Sequence, residues 1–341
     1  MLLILDKPGT YVSKEGRTLR IKLGKEKMEP IAVKNLSEVI VLTKVNISYD
    51  ALILLAKYGV PVIFCSRWEP KAVFHPFFHH GTVITRREQM KALYDKRGIH
   101  LAKKFAIASL ENKISILRYY RNLRSDNSDI LDIIDDAIIE IKNRVEMIDN
   151  IDEPLDKVRM RIMGLEGEGA QKYFSAIKYL LPGELGFNGR YRRPPLDPVN
   201  ASLSFGYAII YSRTLIAIAA AGLEPYAGFL HTDRSGKPSL ILDLSEEFKQ
   251  WLVDRTVLSL FNKRVLKADF FEKRSGGIYL NDKGKKALLE ALGNRLSKKV
   301  KVSQFKGKVN PMTVIIAQAR RIVRYLLGID SEYRPFIWEG R

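Results

Sequence analysis

The first 80 residues show the hydrophobic pattern of β-strands. Residues 17–23 alternate between polar and apolar side chains, and residues 38–43 form a short apolar run rich in β-branched residues. Residues 49–58 have the pattern of a short helix, which Gly59 is expected to end, and residues 60–65 return to a strand. The pattern predicts a small β-rich domain that contains one helix.

From Thr85 onward the apolar residues recur every three to four positions, which is the period of an amphipathic helix. One apolar stripe runs through residues 107–117 and a second runs through residues 130–148. The last helix is expected to begin after Asn310 as its N-cap and to end at Gly328. The second part of the chain is therefore predicted to be helical throughout.

These patterns predict an α+β protein in which a small N-terminal β-rich domain is followed by a larger all-α domain. We expect the β-rich domain over residues 1–78, a linker over residues 79–84, the helical domain over residues 85–330 and a C-terminal tail over residues 331–341. A chain of 341 residues exceeds the usual single domain, so its length also favours two domains.

Composition indicates a globular protein that meets a polyanion. The chain is 46% hydrophobic, and its 57 Lys and Arg against 38 Asp and Glu give a net charge of +19. Residues 255–308 hold 15 basic and 4 acidic side chains, so more than half of that charge lies in 54 residues. Solvated lysine-rich faces are common, but this density favours contact with phosphate groups, with Lys298, Lys299 and Lys301 as candidate contacts.

Other classes of protein are disfavoured by the sequence. The single cysteine, Cys65, excludes an internal disulfide framework, and no basic-then-apolar leader precedes Leu2. The most apolar window, residues 214–223, has about half the length that a membrane span needs, so it is predicted to be a core helix. We expect a cytoplasmic protein without a membrane partner.

The segment 228–248 has the residues of a metal site. Asp243 and Glu246 are three positions apart and would share one face of a helix, while His231 precedes a turn that can fold the chain back. One imidazole with oxygen donors suits Mn²⁺ or Mg²⁺ better than Zn²⁺. The alternative is that Asp243 caps a helix and Glu246 completes a capping box, which has the same spacing.

A second carboxylate with unusual surroundings is Glu166, which stands between Gly164 and Gly167 just before a predicted helix. Glycine allows the backbone to pass close to a ligand, so Glu166 is a candidate binding residue. The alternative is an ordinary exposed carboxylate in a turn, since a glycine pattern alone is a weak motif.

Residues 190–200 are predicted to form a rigid, non-helical loop rich in arginine and tyrosine. Arg190, Arg192 and Arg193 could grip phosphates, and Tyr191 could stack on an unpaired base. The alternative is a simple connector between helices.

The histidines near the domain boundary are a further candidate for a metal site. His75, His79 and His80 lie among phenylalanine and proline without a partner cysteine, which favours a packed linker over a metal site.

Together these motifs resemble a known family, the CRISPR-associated integrase/endonuclease of the spacer-acquisition complex. The resemblance covers essentially the whole chain and rests on the following segments, in this order: 164–167 with Ala170, Tyr173 and Phe174; 192–200; 204–207; 228–231; and 242–248. Gln171 stands where the family more often has a second alanine, a difference that touches no ligand. The resemblance implies a metal-binding triad of Glu166, His231 and Glu246, with Asp243 beside it as a possible ligand.

The resemblance also implies an activity and partners. The implied activity is that of a DNA endonuclease and integrase, dependent on Mg²⁺ or Mn²⁺, that inserts short foreign DNA fragments into a CRISPR array by transesterification. The nucleophile would be the 3′ hydroxyl of the fragment, or water in a nuclease assay. The implied assembly is a homodimer joined through the β-rich domains, with two dimers flanking a dimer of a small ferredoxin-like protein in a heterohexamer.

Two alternative functions remain open at this point. A metal-free basic DNA-binding protein explains the net charge of +19 but not the three separate segments that carry Glu, His and Asp or Glu. A metal-dependent phosphohydrolase acting on nucleotides would not need a basic segment beside the site. DNA cleavage with Mn²⁺ but not with EDTA would exclude the first, and preference for DNA over mononucleotides would exclude the second.

Overall fold

A computed structural model describes residues 2–24, 26–36, 38–66, 69–74, 82–124 and 128–340. The chain divides into two compact units, Met1–His80 and Gly81–Arg341. His75, His79 and His80, and residues 79–81 of the predicted linker, lie outside the described residues.

The first unit is built from short strands and one helix. They are β1 (Leu2–Leu5), β2 (Tyr11–Glu15), β3 (Thr18–Leu23), β4 (Glu26–Lys27), β5 (Ile31–Ala32), β6 (Glu38–Val41), β7 (Asn46–Ile47), α1 (Tyr49–Lys57), β8 (Val62–Ser66) and β9 (Glu69–Phe74). One sheet has the order β1-β6-β8-β9, with β9 antiparallel to β8 and the other pairs parallel. The other has the order β4-β3-β2-β7, with β5 also paired to β3.

The predicted elements of this unit are confirmed where the structure describes them. Helix α1 begins after Ser48, whose side-chain oxygen accepts a hydrogen bond from Ala51 N at 3.2 Å. Inward-facing residues of both sheets, such as Val12, Leu19 and Val62, form a separate hydrophobic core. The unit therefore has an apolar interior of its own.

The second unit is mainly helical. Its elements are α2 (Thr82–Ala92), α3 (Lys96–Leu123), α4 (Ser128–Asp149), α5 (Leu155–Ile177), α6 (Pro198–Ala220), α7 (Ser239–Ser245), α8 (Arg255–Asn262), β10 (Phe271–Arg274), β11 (Gly277–Leu280), α9 (Asp282–Ser297), β12 (Val300–Lys301), β13 (Lys308–Val309) and α10 (Pro311–Leu326). A single π-helical turn, Lys249–Asp254, leads directly into α8. The mixed α+β class is confirmed, and helix α2 begins inside the segment predicted as linker.

The two antiparallel hairpins β10–β11 and β12–β13 depart from the predicted all-α character of this part. In the first hairpin Ser275 (φ 44°) and Gly276 (φ 76°) both have positive φ angles. Two successive residues with positive φ make the tight turn whose twist matches paired strands. The local turn sequence therefore overrides the helical pattern around it.

Helices α3, α4 and α5 pack together along the predicted apolar stripes. Gly169 allows a close approach of α3 and α5, because a Cβ atom there would lie 2.5 Å from the Leu110 side chain. This approach matters for the site, since Glu166 lies one turn earlier on α5 and faces α3.

Helix α6 is long and apolar enough to span a membrane by length and composition. However, 56% of its most apolar window is buried inside the unit, where it contacts α7, α9 and α10. This burial is typical of a core helix, as the sequence predicted.

Residues 331–340 of the C-terminal tail have no regular secondary structure but are anchored in the core. Tyr333, Phe336 and Trp338 are buried, and Asn112 of α3 accepts a hydrogen bond from Trp338 N at 2.7 Å. Glu247 accepts a hydrogen bond from Phe336 N at 2.8 Å. The C-terminal tail thereby holds Glu247, in the segment that follows α7, in place.

Candidate metal centre

Glu166 lies in the middle of α5 and points to a polar group on α3. Its Oε1 accepts hydrogen bonds from Ser109 Oγ at 2.8 Å and from Lys113 Nζ at 2.9 Å. The Lys113 side chain is 3% exposed and that of Glu166 is 20% exposed. The carboxylate of Glu166 thus faces the ammonium group of a buried lysine, which compensates for its burial.

Glu246 follows the last residue of α7 and is buried next to the same serine. Its Oε2 is 2.9 Å from Ser109 Oγ, and its Oε1 accepts a hydrogen bond from Lys249 Nζ at 2.5 Å. Oxygens of Glu166 and Glu246 are thus both within hydrogen-bond distance of one hydroxyl, which carries only one proton. Two carboxylates from distant parts of the sequence are brought together at Ser109.

His231 lies in the segment before α7 and is oriented by Asp243. The Oδ1 atom of Asp243 is 2.7 Å from His231 Nδ1 and 2.9 Å from His231 N. The other carboxylate oxygen accepts hydrogen bonds from Phe229 N at 2.6 Å and Leu230 N at 3.0 Å. Because Asp243 engages Nδ1, the free ring nitrogen is Nε2, which is the arrangement of a metal-ligating histidine.

The charges of the two buried lysines dominate the electrostatics of Glu246. Burial raises the pKa of Glu246, but the positive charges of Lys249 and Lys113 outweigh it and lower the pKa to about 2. His231 acts in the same direction, so its ring lies within electrostatic range of this carboxylate. The carboxylate is therefore ionised at neutral pH and needs a cation beside it.

The three predicted ligands are brought to one region without forming a closed cluster. Among the residues that the structure describes, no three His, Cys, Asp or Glu side chains are grouped closely enough to hold a metal ion. Instead, the ammonium groups of Lys113 and Lys249 stand against Glu166 and Glu246. The donor set of two carboxylates and one imidazole nitrogen fits Mg²⁺ or Mn²⁺.

The structure contradicts one alternative and one prediction from the sequence. Asp243 is the fifth residue of α7, whose N-cap is Pro238, so it forms no capping box with Glu246. Its carboxylate instead binds the backbone of residues 229–231. Glu166 is not in a turn before a helix, because α5 continues through Gly164 and Gly167. Burial of the apolar face of α5 outweighs the low helix propensity of these glycines.

Comparison with known proteins identifies the family. The sequence profile described as CRISPR associated protein Cas1 matches residues 3–294. The CRISPR-associated endonuclease Cas1 1 of Archaeoglobus fulgidus is 37% identical over 348 residues, which cover 99% of each chain. The chain belongs to the Cas1 family.

Solved structures share its fold. A casposase bound to its integration product has a TM-score of 0.79 at 24% identity, over all of this chain and 95% of that one. A Cas6-RT-Cas1–Cas2 complex contains a chain with a TM-score of 0.76 at 20% identity. That match covers 99% of this Cas1-family chain and 36% of the longer one.

The predicted DNA-binding residues lie in two places on the second unit. Arg190 donates hydrogen bonds to Asn200 Oδ1 at 2.8 Å and Ser204 Oγ at 3.0 Å, so it holds the loop against α6. Arg192 and Arg193 are exposed on the same loop, which is non-helical as predicted up to Asp197, whereas Pro198–Asn200 already form the start of α6. The side chains of Lys298, Lys299 and Lys301 are exposed after α9. Their contact with DNA stays a prediction.

Ser109, Lys113 and Lys249 are the residues of the site that the sequence reading did not identify. The first two interrupt the apolar stripe of α3 with buried polar groups, and that interruption was the available signal. Lys249 is three positions after Glu246, which is the spacing of an ion pair on a helical turn. Nothing in the sequence alone brings α3 next to Glu166.

Proposed function

We propose that this Cas1-family protein is a divalent-metal-dependent DNA endonuclease and integrase that inserts short DNA fragments into a CRISPR array. The single observation that carries the proposal is the convergence of Glu166 and Glu246 on one hydroxyl group, with His231 Nε2 left free nearby. Relatives named as Cas1 endonucleases and the fold shared with a casposase bound to its integration product support it.

The proposed ligands are Glu166, His231 and Glu246, with Asp243 orienting the imidazole rather than binding the ion. An ion bound there would supply polarisation of the phosphodiester and neutralisation of charge in the pentacovalent transition state. The nucleophile we propose is the 3′ hydroxyl of the incoming fragment, or water in a nuclease reaction. Nothing in this chemistry requires a covalent bond to the protein.

The chain's own residues have defined roles in this proposal. Asp243, without exposure to solvent, holds Nδ1 of His231 and so fixes which nitrogen faces the site. Lys113 and Lys249 balance the carboxylates before a cation arrives, and Ser109 sets the spacing of Glu166 and Glu246. Helical segments thus position the two carboxylates, whereas His231 lies on the non-helical segment before α7 and is fixed by Asp243.

The partners follow from the net charge and from the relatives. We propose that the exposed cations after α9 and on the loop at Arg192 and Arg193 bind double-stranded DNA. The homodimer, the small ferredoxin-like partner, the heterohexamer and the cytoplasmic location also belong to the proposal. A solved complex that contains Cas1 and Cas2 provides a precedent for such a partner.

The test compares cleavage and strand transfer on plasmid DNA with Mn²⁺ and with EDTA. Glu166→Ala and His231→Ala should each lower the rate by at least about a hundredfold, because each removes a ligand, while DNA binding survives. Glu168→Ala is the matched control, since Glu168 is exposed on the same helix and, among the residues that the structure describes, pairs only with Arg144. Cleavage that persists in EDTA, or a His231→Ala variant with near-normal rates in Mn²⁺, would show that the site is assigned wrongly.

The same assay distinguishes the nucleotide phosphohydrolase. The proposal expects turnover of DNA and none of mononucleotides. A protein that hydrolyses mononucleotides faster than DNA would have a different substrate.

A further inference from the structure

A second cavity lies in the helical unit, apart from the candidate metal centre. It has a volume of about 670 Å³ and is formed by α8, the end of α9, β12 and the C-terminal tail. We call it the α8–α9 cavity. It shares no lining residue with the site at Glu166, His231 and Glu246. Its volume lies within the range of about 300–1,000 Å³ that small-molecule sites occupy.

Two arginines of the α8–α9 cavity have no acidic partner. Among the described residues, no carboxylate lies within ion-pairing distance of Arg255 or Arg295, although Glu339 lines the same cavity. The Nε atom of Arg295 is buried and makes no hydrogen bond. Burial, and then the nearby charge of Arg255, lowers the pKa of Arg295 to about 10. Both arginines are half-buried, and a partly desolvated guanidinium with no carboxylate beside it favours an anionic ligand.

Arg255 is held by aromatic rings instead of by an acid. The guanidinium carbon of Arg255 lies 4.6 Å from the ring centre of Tyr119 and 4.5 Å from that of Trp338. Stacking of this kind fixes a guanidinium and leaves its N–H groups free to grip an anion. The geometry is that of a prepared anion site.

The remaining walls of the cavity add two kinds of contact. Trp251, Leu260 and Val300 provide apolar surface, while Lys298 and Lys301 bring two exposed ammonium groups. Phosphate binds to arginine through paired charge-assisted hydrogen bonds, and a base or sugar packs on apolar and aromatic side chains. The combination of both surfaces in one cavity matches a nucleotide better than a free inorganic anion.

We propose that the α8–α9 cavity binds one phosphate-bearing nucleotide unit, with its phosphate between Arg255 and Arg295 and its base or sugar against Trp251 and Val300. The unit is either a free nucleotide or one nucleotide of a DNA strand, which share this chemistry. Binding there does not depend on the proposed metal chemistry, because the two sites have no residue in common.

The experiment uses the protein's own tryptophans as reporters. The chain has three tryptophans, of which Trp251 lines the cavity and Trp338 lies under Arg255. In a Trp68→Phe background their emission is followed while dAMP or 5′-phosphorylated hexathymidylate is added. EDTA is present throughout, so a failure of the metal proposal leaves this result unaffected.

Saturable change in emission is expected, and Arg295→Gln should weaken binding at least about tenfold by removing one charged hydrogen-bond donor to the phosphate. Ser259→Glu is a second variant that places a carboxylate in the cavity wall and should weaken binding similarly. The control is Lys142→Gln, which removes one exposed positive charge from α4 and should not change the dissociation constant.

The two ligands distinguish the two sources. Binding of dAMP shows that a single nucleotide suffices, and binding of the hexanucleotide alone assigns the unit to a DNA strand; either result supports the proposal. Absence of saturable binding for both ligands overturns it. So does an equal dissociation constant for Arg295→Gln, Ser259→Glu and Lys142→Gln.

Discussion

We predict that the ammonium group of Lys113 occupies the place of the metal ion beside Glu166. Replacing Lys113 with methionine should therefore destabilise the protein mainly when no metal is present. Its ammonium group lies 2.9 Å from Glu166 and is 3% exposed. Removing one partner of a buried ion pair costs about 3–5 kcal/mol, and the partial exposure of Glu166 favours the lower end, about 3 kcal/mol. A divalent ion on the carboxylates would replace the lost charge and reduce that loss to about 1 kcal/mol.

The assay is urea unfolding of the parent protein and of Lys113→Met, each with EDTA and with saturating Mn²⁺. The difference of about 2 kcal/mol also predicts that Lys113→Met binds Mn²⁺ about thirtyfold more tightly than the parent protein. Lys103→Met is the control on the same helix, because within the described part of the chain Lys103 donates only to the carbonyls of Asp149 and Ile151. Its cost should be the same in both conditions. Equal losses for Lys113→Met with and without Mn²⁺ would refute the idea that lysine and metal share the carboxylates.

Three further predictions concern orientation, DNA contact and pH. Asp243→Asn should lower the unfolding free energy by about 3 kcal/mol and remove most of the activity, because the new NH₂ group cannot accept the hydrogen bonds of the backbone or ring N–H groups that it faces. An unchanged unfolding midpoint would contradict this. Lys298→Ala with Lys299→Ala should reduce the slope of log K against log salt by close to two units in a fluorescent-duplex titration, whereas Glu246→Ala should abolish turnover with the slope intact. An unchanged slope in the lysine variant would mean that these side chains face solvent or a protein. The pKa of Glu246 is lowered from 4.5 to about 2, so its stabilisation is complete above pH 4.5 and is lost as the pH falls through 2. Between pH 5 and pH 2 the parent protein should therefore lose about 3 kcal/mol more than Glu246→Gln, measured by urea unfolding followed by circular dichroism; parallel pH curves would argue against the pairing.

Local patterns in the sequence were sufficient for much of the fold. The helix after Ser48 and the last helix after Asn310 begin where their capping residues predict, since a cap is recognisable within four positions. The stripes of α3 and α4 are buried as predicted, because the helical period alone decides which face is apolar. The hairpins β10–β11 and β12–β13 were missed, since each has only two to four residues per strand.

The site was predictable only in part, because its contacts join distant segments. The resemblance to the family supplied Glu166, His231 and Glu246, but the serine and lysine of α3 that meet Glu166 are 57 and 53 positions away. A lysine looks the same in the sequence whether it is solvated or buried, and only packing of α3 on α5 decides which. The glycines around Glu166 wrongly indicate a non-helical segment, because helix propensity is a local property, whereas burial of a helix face is a property of the whole unit.

The central claim is that Glu166, His231 and Glu246 hold one divalent ion. Anomalous diffraction at the manganese edge from a crystal soaked in MnCl₂ tests it directly. The account predicts one strong peak that contacts a carboxylate oxygen of each glutamate and His231 Nε2, with Lys113 displaced from Glu166. A peak bound elsewhere, or lysines that keep their places with no peak beside these three residues, would contradict it.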